Sequence, residues 1–352
     1  MINIINKKFV TIFPYNVKSY LKNSIFDTKK NKGIEPPIFA VLKKYLQRKK
    51  VYINTYDISV KETIYKYIYF DSPYPWNFSS FRVWKMIFSN KKKNILICNE
   101  STMVIPFNYM KIIHFFFTKV YTWNDKLVDN KKYFKIRLPK SSIGIETKPK
   151  KFNEKKFLIL INANKLPFYP FMLLKPFGRE LYSERIKSIE FFEHKIPNDF
   201  SLYGRGWNKP KKYNLTEVIF GYKKYSTYKG EVDNKIELLS NFKYCLCFEN
   251  LTDVNGYITE KIFDCLKAKC VPIYWGASDI EKYIPKDCFI DFRDFGDYEK
   301  LFIFLASIDE SKYNAYVENI EALLSDKKFI DMWFEMGFAK FFLEDILEIK
   351  NE

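Results

Sequence analysis

No two cysteines in this 352-residue chain stand in C-x-x-C spacing, and only two histidines are available to join the six cysteines. That shortage argues against a structural zinc site. Cys98, Cys245, Cys247, Cys265, Cys270 and Cys288 lie mostly inside apolar runs, where a thiol behaves as a small core side chain. A reducing compartment without a disulfide framework is expected. No run reaches the roughly 18 uninterrupted apolar residues that a membrane-spanning helix needs. Asn6, Lys7 and Lys8 interrupt the apolar N-terminus early, so neither a signal peptide nor a transmembrane anchor is expected, and the expected location is the cytoplasm. Asp-x-Asp, the usual ligand pattern for a metal on a diphosphate, is absent. Solenoid repeats, zinc fingers, RNP aromatic motifs, a GXXG clamp and a helix-turn-helix are lacking as well.

What the chain has in excess is positive charge, a net +18 at pH 7, on an otherwise ordinary composition of 47% hydrophobic and 28% charged residues. Such a charge suits acidic partners: nucleic acid, anionic membrane or phosphorylated small molecules. The charge is spread along the chain, and short runs such as Lys91-Lys92-Lys93 are more often a solvated face than a binding patch. A basic nucleic-acid-binding protein is the alternative from another functional class, disfavoured by the missing motifs. A peripheral contact with anionic membrane on its inner face is a further expectation.

The length is that of two domains. Strand-like apolar runs alternate with helical patterns, which indicates an α/β protein with largely parallel sheets. Tyr65–Phe70 and Asn94–Cys98 read as buried strands, and Ile112–Thr122 contains another. The polar stretch Pro139–Asn153 breaks the rhythm and marks a boundary between residues 1–150 and 151–330. Beyond it the pattern gives strands at Lys156–Asn162, Ser201–Gly204, Tyr244–Glu249 and Val271–Trp275, and helices at Arg179–His194, Asp233–Asn241 and Thr259–Lys269. The tail, 331–352, reads as a helix over Asp331–Ile349 with one apolar face, expected to pack on the body.

The segment YCLCFENLTDVNGYITEKIFDCLKAKCVPIYWG, Tyr244–Gly276, reads as strand, loop, helix and strand, a βαβ unit. Asn255-Gly256 signals a turn, and Thr259 is a good N-cap that leaves Glu260 and Lys261 in the first helical turn. Ligands of open α/β sheets sit beyond the carboxyl ends of strands, and a helix N-terminus there offers free N–H groups and a positive dipole end. A diphosphate would be held by those amides and by Lys261, while Glu260 would accept hydrogen bonds from sugar hydroxyls. Thr-Glu-Lys is also common capping chemistry and alone favours a structural role.

FEN, YITEK and VPIYWGA in this segment closely resemble the signature of the α-1,3/α-1,4-fucosyltransferases, glycosyltransferase family GT10. The resemblance runs from about Asn241 to Phe295 and includes Tyr283–Pro285 and Phe289–Asp291. It implies a GT-B fold, two Rossmann-like domains facing a central cleft, and transfer of L-fucose from GDP-fucose with inversion. It carries Asn250, Tyr257, Glu260 and Lys261 over to the nucleotide-sugar site. GRELYSERIKSI supplies Arg179 for the family's arginine at the start of the first donor-domain helix, with Arg185 as its rival. SLYGRGWNKP resembles the family's YG-x-G segment, with Gly204 and Gly206 in a tight turn, and YKGEVDNK offers Tyr228 to the nucleotide. ILICNES resembles the strand whose glutamate is the proposed general base, here Glu100, although Thr102 stands where the family has proline. The expected chemistry is α-1,3 transfer to a glycan acceptor such as N-acetylglucosamine on an oligosaccharide or glycolipid. Fixed cations replace a metal, so no cofactor is expected. Another GDP-hexose as donor, or an inactive sugar-binding scaffold of the same fold, are the readings that keep the fold.

Overall fold

Strands buried on both faces belong to parallel sheets, and the chain has two sets of them. The computed structural model describes residues 7–14, 17–30, 35–74, 81–165, 178–211 and 215–350. It divides into two units, Met1–Ser142 with Lys327–Glu352, and Ile143–Asp326.

The first unit holds β1 (Lys8–Phe13), α1 (Glu35–Arg48), β2 (Val51–Thr55), β3 (Ile64–Phe70), α2 (Phe81–Ser89), β4 (Asn94–Cys98), α3 (Lys111–His114), β5 (Lys119–Thr122) and β6 (Tyr133–Lys135). Its six strands form one sheet in the order β2-β1-β3-β4-β5-β6, every neighbouring pair parallel. All five residues of β4 are buried, as a strand covered on both faces requires. Strand order reverses at β1, which has β2 on one side and β3 on the other. The carboxyl ends of β1 and β3 therefore border the crevice where such sheets bind ligands.

The second unit repeats the plan with β7 (Lys156–Ile161), β8 (Arg179–Glu180), α4 (Tyr182–Lys195), β9 (Phe200–Tyr203), α5 (Leu215–Phe220), α6 (Lys235–Leu239), β10 (Phe242–Phe248), β11 (Leu251–Thr252), α7 (Glu260–Lys267), β12 (Val271–Trp275), β13 (Ile290–Asp291), α8 (Tyr298–Ser307) and α9 (Glu310–Ser325). The sheet order is β13-β12-β10-β7-β9, again all parallel, and its reversal lies between β7 and β10. β8 and β11 form a separate antiparallel pair. Leu158, Leu160, Tyr244, Leu246, Phe248, Val271 and Ile273 from the sheet pack with Ile189 and Phe192 of α4 and Leu301 and Leu305 of α8.

The tail differs from the single helix expected over Asp331–Ile349. It is broken at Phe334 into α10 (Lys327–Trp333) and α11 (Glu335–Phe341), and a π-helical turn, Phe342–Ile346, follows. Nor is 331–352 a part of its own. Phe338, Phe342, Leu343, Ile346 and Leu347 are buried with Val10, Ile12, Phe39, Leu42, Ile53 and Ile68 in the core of the first unit. Tyr121 Oη donates to Asp345 O at 2.7 Å, and Tyr65 Oη to Leu347 O at 3.1 Å. The helix expected at Arg179–His194 begins at Tyr182, because Arg179 and Glu180 pair instead with Thr252 and Leu251. Among the described residues no helix is long and apolar enough to cross a membrane, and all six cysteines are buried free thiols.

Candidate functional site

The site in the second unit grows from the end of β10. Glu249 N–H continues the ladder by donating to Trp275 O at 2.8 Å, so the chain leaves the sheet only at Asn250. From there two side chains point to two networks. Asn250 Oδ1 accepts from Arg185 Nη2 at 3.0 Å, and its Nδ2 donates to Tyr257 Oη at 3.3 Å. Arg185 Nη2 also donates to Phe248 O at 2.8 Å and Glu249 O at 2.5 Å. Arg185, on the first turn of α4, thereby clamps the last carbonyls of β10 with a buried guanidinium whose Nε has no partner among the described residues. Burial pulls the Arg185 pKa below its ordinary value, against the favourable fields of Tyr182 and Glu249.

Glu249 carries the second network. Its carboxylate is fully buried and accepts from Thr259 N–H at 2.7 Å, Thr259 Oγ1 at 2.7 Å and Lys261 Nζ at 3.0 Å. Thr259 caps α7, its Oγ1 accepting from Lys261 N–H at 3.4 Å and from Lys261 Nζ at 3.1 Å. An ammonium has three donors, and the protein takes two of those on Lys261 while its side chain keeps 19% exposure. Burial works to lower the Lys261 pKa, but the Glu249 and Glu260 carboxylates outweigh it and hold the group well above its ordinary value. Lys261 is thus a permanent cation at the start of a helix. Glu260, the first residue of α7, is half-buried beside it. Gly276 lets β12 turn past this carboxylate, since a Cβ there would come within 2.5 Å of Glu249 Cγ and 2.4 Å of Tyr274 Oη.

A small cavity of about 30 Å³ opens at the sheet reversal, lined by Asn162 at the end of β7, by Cys247 of β10, by Lys235 of α6 and by Lys261, Asp264 and Cys265 of α7. This is the crevice position expected of a ligand in a sheet of this order. Among the described residues no cluster of three or more His, Cys, Asp or Glu could hold a metal ion.

The structure brings Asn250, Tyr257, Glu260 and Lys261 together and treats the other sequence candidates differently. Arg179 lies in β8, outside the helix, with Nε 3.8 Å from Asp253 and its guanidinium 5.1 Å over the Trp275 ring. The arginine that reaches the end of β10 is Arg185, its rival. Tyr228 Oη donates to Gly204 O at 3.0 Å and helps shape the glycine turn. Gly204, at φ +129°, is required there because a Cβ would sit 2.0 Å from Asn162 O. Glu100 is in the first unit, just past β4, and its backbone is fixed on both sides. Its N–H donates to Asp71 Oδ1 at 2.9 Å, and its carbonyl accepts from Tyr109 Oη at 3.0 Å.

Two carboxylates that are not among the sequence candidates hold these strand ends. Glu249 was legible as a charged residue directly after an apolar strand. Asp71 stands in the same place after β3. It is buried, its Oδ1 accepts from Asn99 N–H (2.7 Å), Glu100 N–H and Asn108 Nδ2 (2.5 Å), and its Oδ2 has no partner among the described residues. Burial pushes the Asp71 carboxyl up to about 6 against those three donors.

Residues 183–329 match the family described as glycosyltransferase family 10 (fucosyltransferase), C-terminal. Over that segment, less than half of the chain, the sequence is similar to that family. The match includes Arg185 and the whole β10–α7–β12 unit and begins after Arg179. An α-(1,3)-fucosyltransferase of Helicobacter pylori is 38% identical over 87 residues, 25% of this chain and 18% of the relative. An α-(1,4)-fucosyltransferase of Arabidopsis thaliana is 35% identical over 83 residues, 22% of this chain and 20% of the relative. The chain thus aligns with about a fifth of the length of these relatives. A crystal structure of an α1,3-fucosyltransferase with GDP superposes with a TM-score of 0.55 at 16% identity, covering 98% of this chain and 91% of that one. The Anabaena protein HepE in complex with UDP-glucose gives 0.55 at 6% identity, covering 98% and 100%. At such identities the likeness concerns the fold, which is GT-B.

Proposed function

We propose that this protein transfers L-fucose from GDP-fucose to a hydroxyl of a glycan acceptor, an oligosaccharide or glycolipid, in one inverting step. The observation that carries the reading is Lys261, a buried-backed ammonium at the start of α7, beside the cavity at the sheet reversal and inside the family-matched segment. A diphosphate there meets the third donor of Lys261 and the positive end of α7. The half-buried Glu260 carboxylate serves as acceptor for hydroxyls of the donor, and Asn250 and Tyr257, locked to each other and to Arg185, form a rigid wall.

In the reaction, Glu100 removes the proton of the acceptor hydroxyl as that oxygen attacks the anomeric carbon. The carbon–oxygen bond to the diphosphate breaks, and GDP leaves with its new charge stabilised by Lys261, the helix terminus and Arg179. These fixed cations supply the charge that a metal would otherwise bring, so metal-independent turnover follows. The α-1,3 linkage, which the name of the Helicobacter pylori relative carries, and an N-acetylglucosamine-type acceptor are the specific form of this proposal.

The test is incubation of the chain with GDP-fucose and a panel of β-galactoside and N-acetylglucosamine acceptors, read by mass spectrometry. A product heavier by one deoxyhexose, lost in Lys261→Ala, supports the proposal. Transfer from another GDP-hexose alone replaces the donor, and no transfer from any GDP-sugar overturns the reading.

A further inference from the structure

We infer that the face of the first unit built from α2 and α3 docks on a bilayer interface carrying anionic phospholipid. α2 turns Val83 and Ile87 to the core and leaves Phe81 and Phe88, seven residues apart on its other side, 74% and 55% exposed. α3 buries Ile113 and leaves Ile112 73% exposed, with Phe115 just beyond it 63% exposed. The two elements share one surface. The Phe88 and Phe116 rings meet edge-on at 4.8 Å, Trp84 lies 5.8 Å from Phe88, and Phe115 5.5 Å from Phe116. Large apolar side chains left in water as one contiguous patch mark an interaction surface rather than ordinary exposure.

The charged residues of the segments that form this patch are all basic. Arg82, Lys85, Lys92 and Lys111 are exposed around it, Lys91 places its ammonium 3.1 Å from the Phe115 ring centre, and no acidic residue occurs between Asp71 and Glu100 or between Glu100 and Asp125. Protein interfaces are depleted in lysine, which disfavours a protein as occupant. Single-stranded nucleic acid needs open ring faces for stacking. Here Phe88, Phe115 and Phe116 use edges and faces on each other, Lys91 covers Phe115, and Ile112 has no ring to offer. Aromatic rings with lysines at their margin suit a headgroup layer, where the rings enter the acyl boundary and the ammonium groups stay with phosphate. Docking of this kind is independent of the transfer reaction.

The experiment is co-sedimentation of the full chain with vesicles of phosphatidylcholine alone and of phosphatidylcholine mixed with phosphatidylglycerol. Binding is expected on the anionic vesicles only and weakens with salt. K85Q/K92Q lowers it by roughly 25-fold, at about fivefold per lysine. I112S/F115S lowers it by roughly tenfold or more, while V218S/F220S, at exposed apolar positions of α5 in the other unit, leaves it unchanged. Brominated lipid quenches tryptophan fluorescence, and Trp84→Phe removes that quenching. Near-ultraviolet circular dichroism checks that each variant is folded. Failure to sediment with either vesicle, or undiminished binding in both patch variants, overturns the inference. So does loss of self-association or of RNA retention in I112S/F115S without any lipid binding, which would assign the surface to a second copy or to nucleic acid.

Discussion

Asp71→Asn isolates one buried charge. The wild-type carboxyl is raised from its ordinary 3.8 to about 6, so the fold holds its proton more tightly than the unfolded chain does. Stability contributed by this group is therefore fully present below about pH 4 and is lost as pH rises through about 6, after which the loss is constant. At about 1.4 kcal/mol per pH unit, the ionised carboxylate makes the native state about 3 kcal/mol less stable than the neutral one does. Asparagine keeps an oxygen for the N–H groups of Asn99 and Glu100 and for Asn108, and it tolerates the φ of +63° at this position. Its Nδ2 replaces an oxygen already lacking a partner, a cost of about 1–3 kcal/mol that does not vary with pH. The measurable quantity is thus a slope. Native-state hydrogen exchange across β3 and β4, compared between the two proteins at each pH, should favour the variant progressively more, by about 2–3 kcal/mol between pH 4 and pH 7, and then level off. A difference that stays flat over that interval, or that first appears above pH 7, refutes the assignment of a raised carboxyl to Asp71.

Lys261→Ala should lower kcat by about 10²–10³-fold, measured by GDP release, and should also destabilise the second unit by about 3 kcal/mol because the buried Glu249 loses its counter-charge. Glu249→Gln leaves Lys261 without its buried counter-charge and should destabilise the second unit by about 3 kcal/mol in urea unfolding, with part of this recovered in Glu249→Gln/Lys261→Met. Glu100→Gln should reduce turnover by about 10²–10⁴-fold while GDP-fucose affinity by calorimetry stays within a factor of two or so. Arg179→Ala, whose ion pair is 3.8 Å long and more than half exposed on both sides, should change stability by less than about 0.5 kcal/mol. Arg185→Ala should cost several times more, on the order of 2–4 kcal/mol, since it strips a buried strand end of its donors.

The sheets were legible because parallel strands covered on both faces are short unbroken apolar runs, as in NILIC at β4 and VPIYW at β12. The site around α7 was legible because its start is local chemistry: Asn-Gly turn, threonine cap, charged first turn. What local pattern cannot carry is pairing between distant segments. Arg179 looked helical by continuity with YSERIKSI, yet Thr252 and Leu251 draw it and Glu180 into an antiparallel pair, and Glu180 then accepts from Ser183 N–H at 3.0 Å. Glu249 read as the mere end of a strand, because its three donors come from ten and twelve residues further on. The tail's apolar stripe was plain, but its partners, among them Val10, Phe39 and Ile53, lie some three hundred positions upstream.

That last arrangement has a consequence for biosynthesis. The domain that starts the chain cannot close its interior until Phe338, Phe342, Leu343, Ile346 and Leu347 emerge from the ribosome, whereas Ile143–Asp326 is one continuous stretch and complete beforehand. Folding during translation therefore runs out of order, middle before beginning. A chain stopped at Asp326 leaves a half-built apolar interior for chaperones to shield. The late-arriving seam, where Lys140 N–H meets Trp333 O at 2.7 Å and Ser142 N–H meets Glu335 Oε1 at 2.7 Å, is the natural last step.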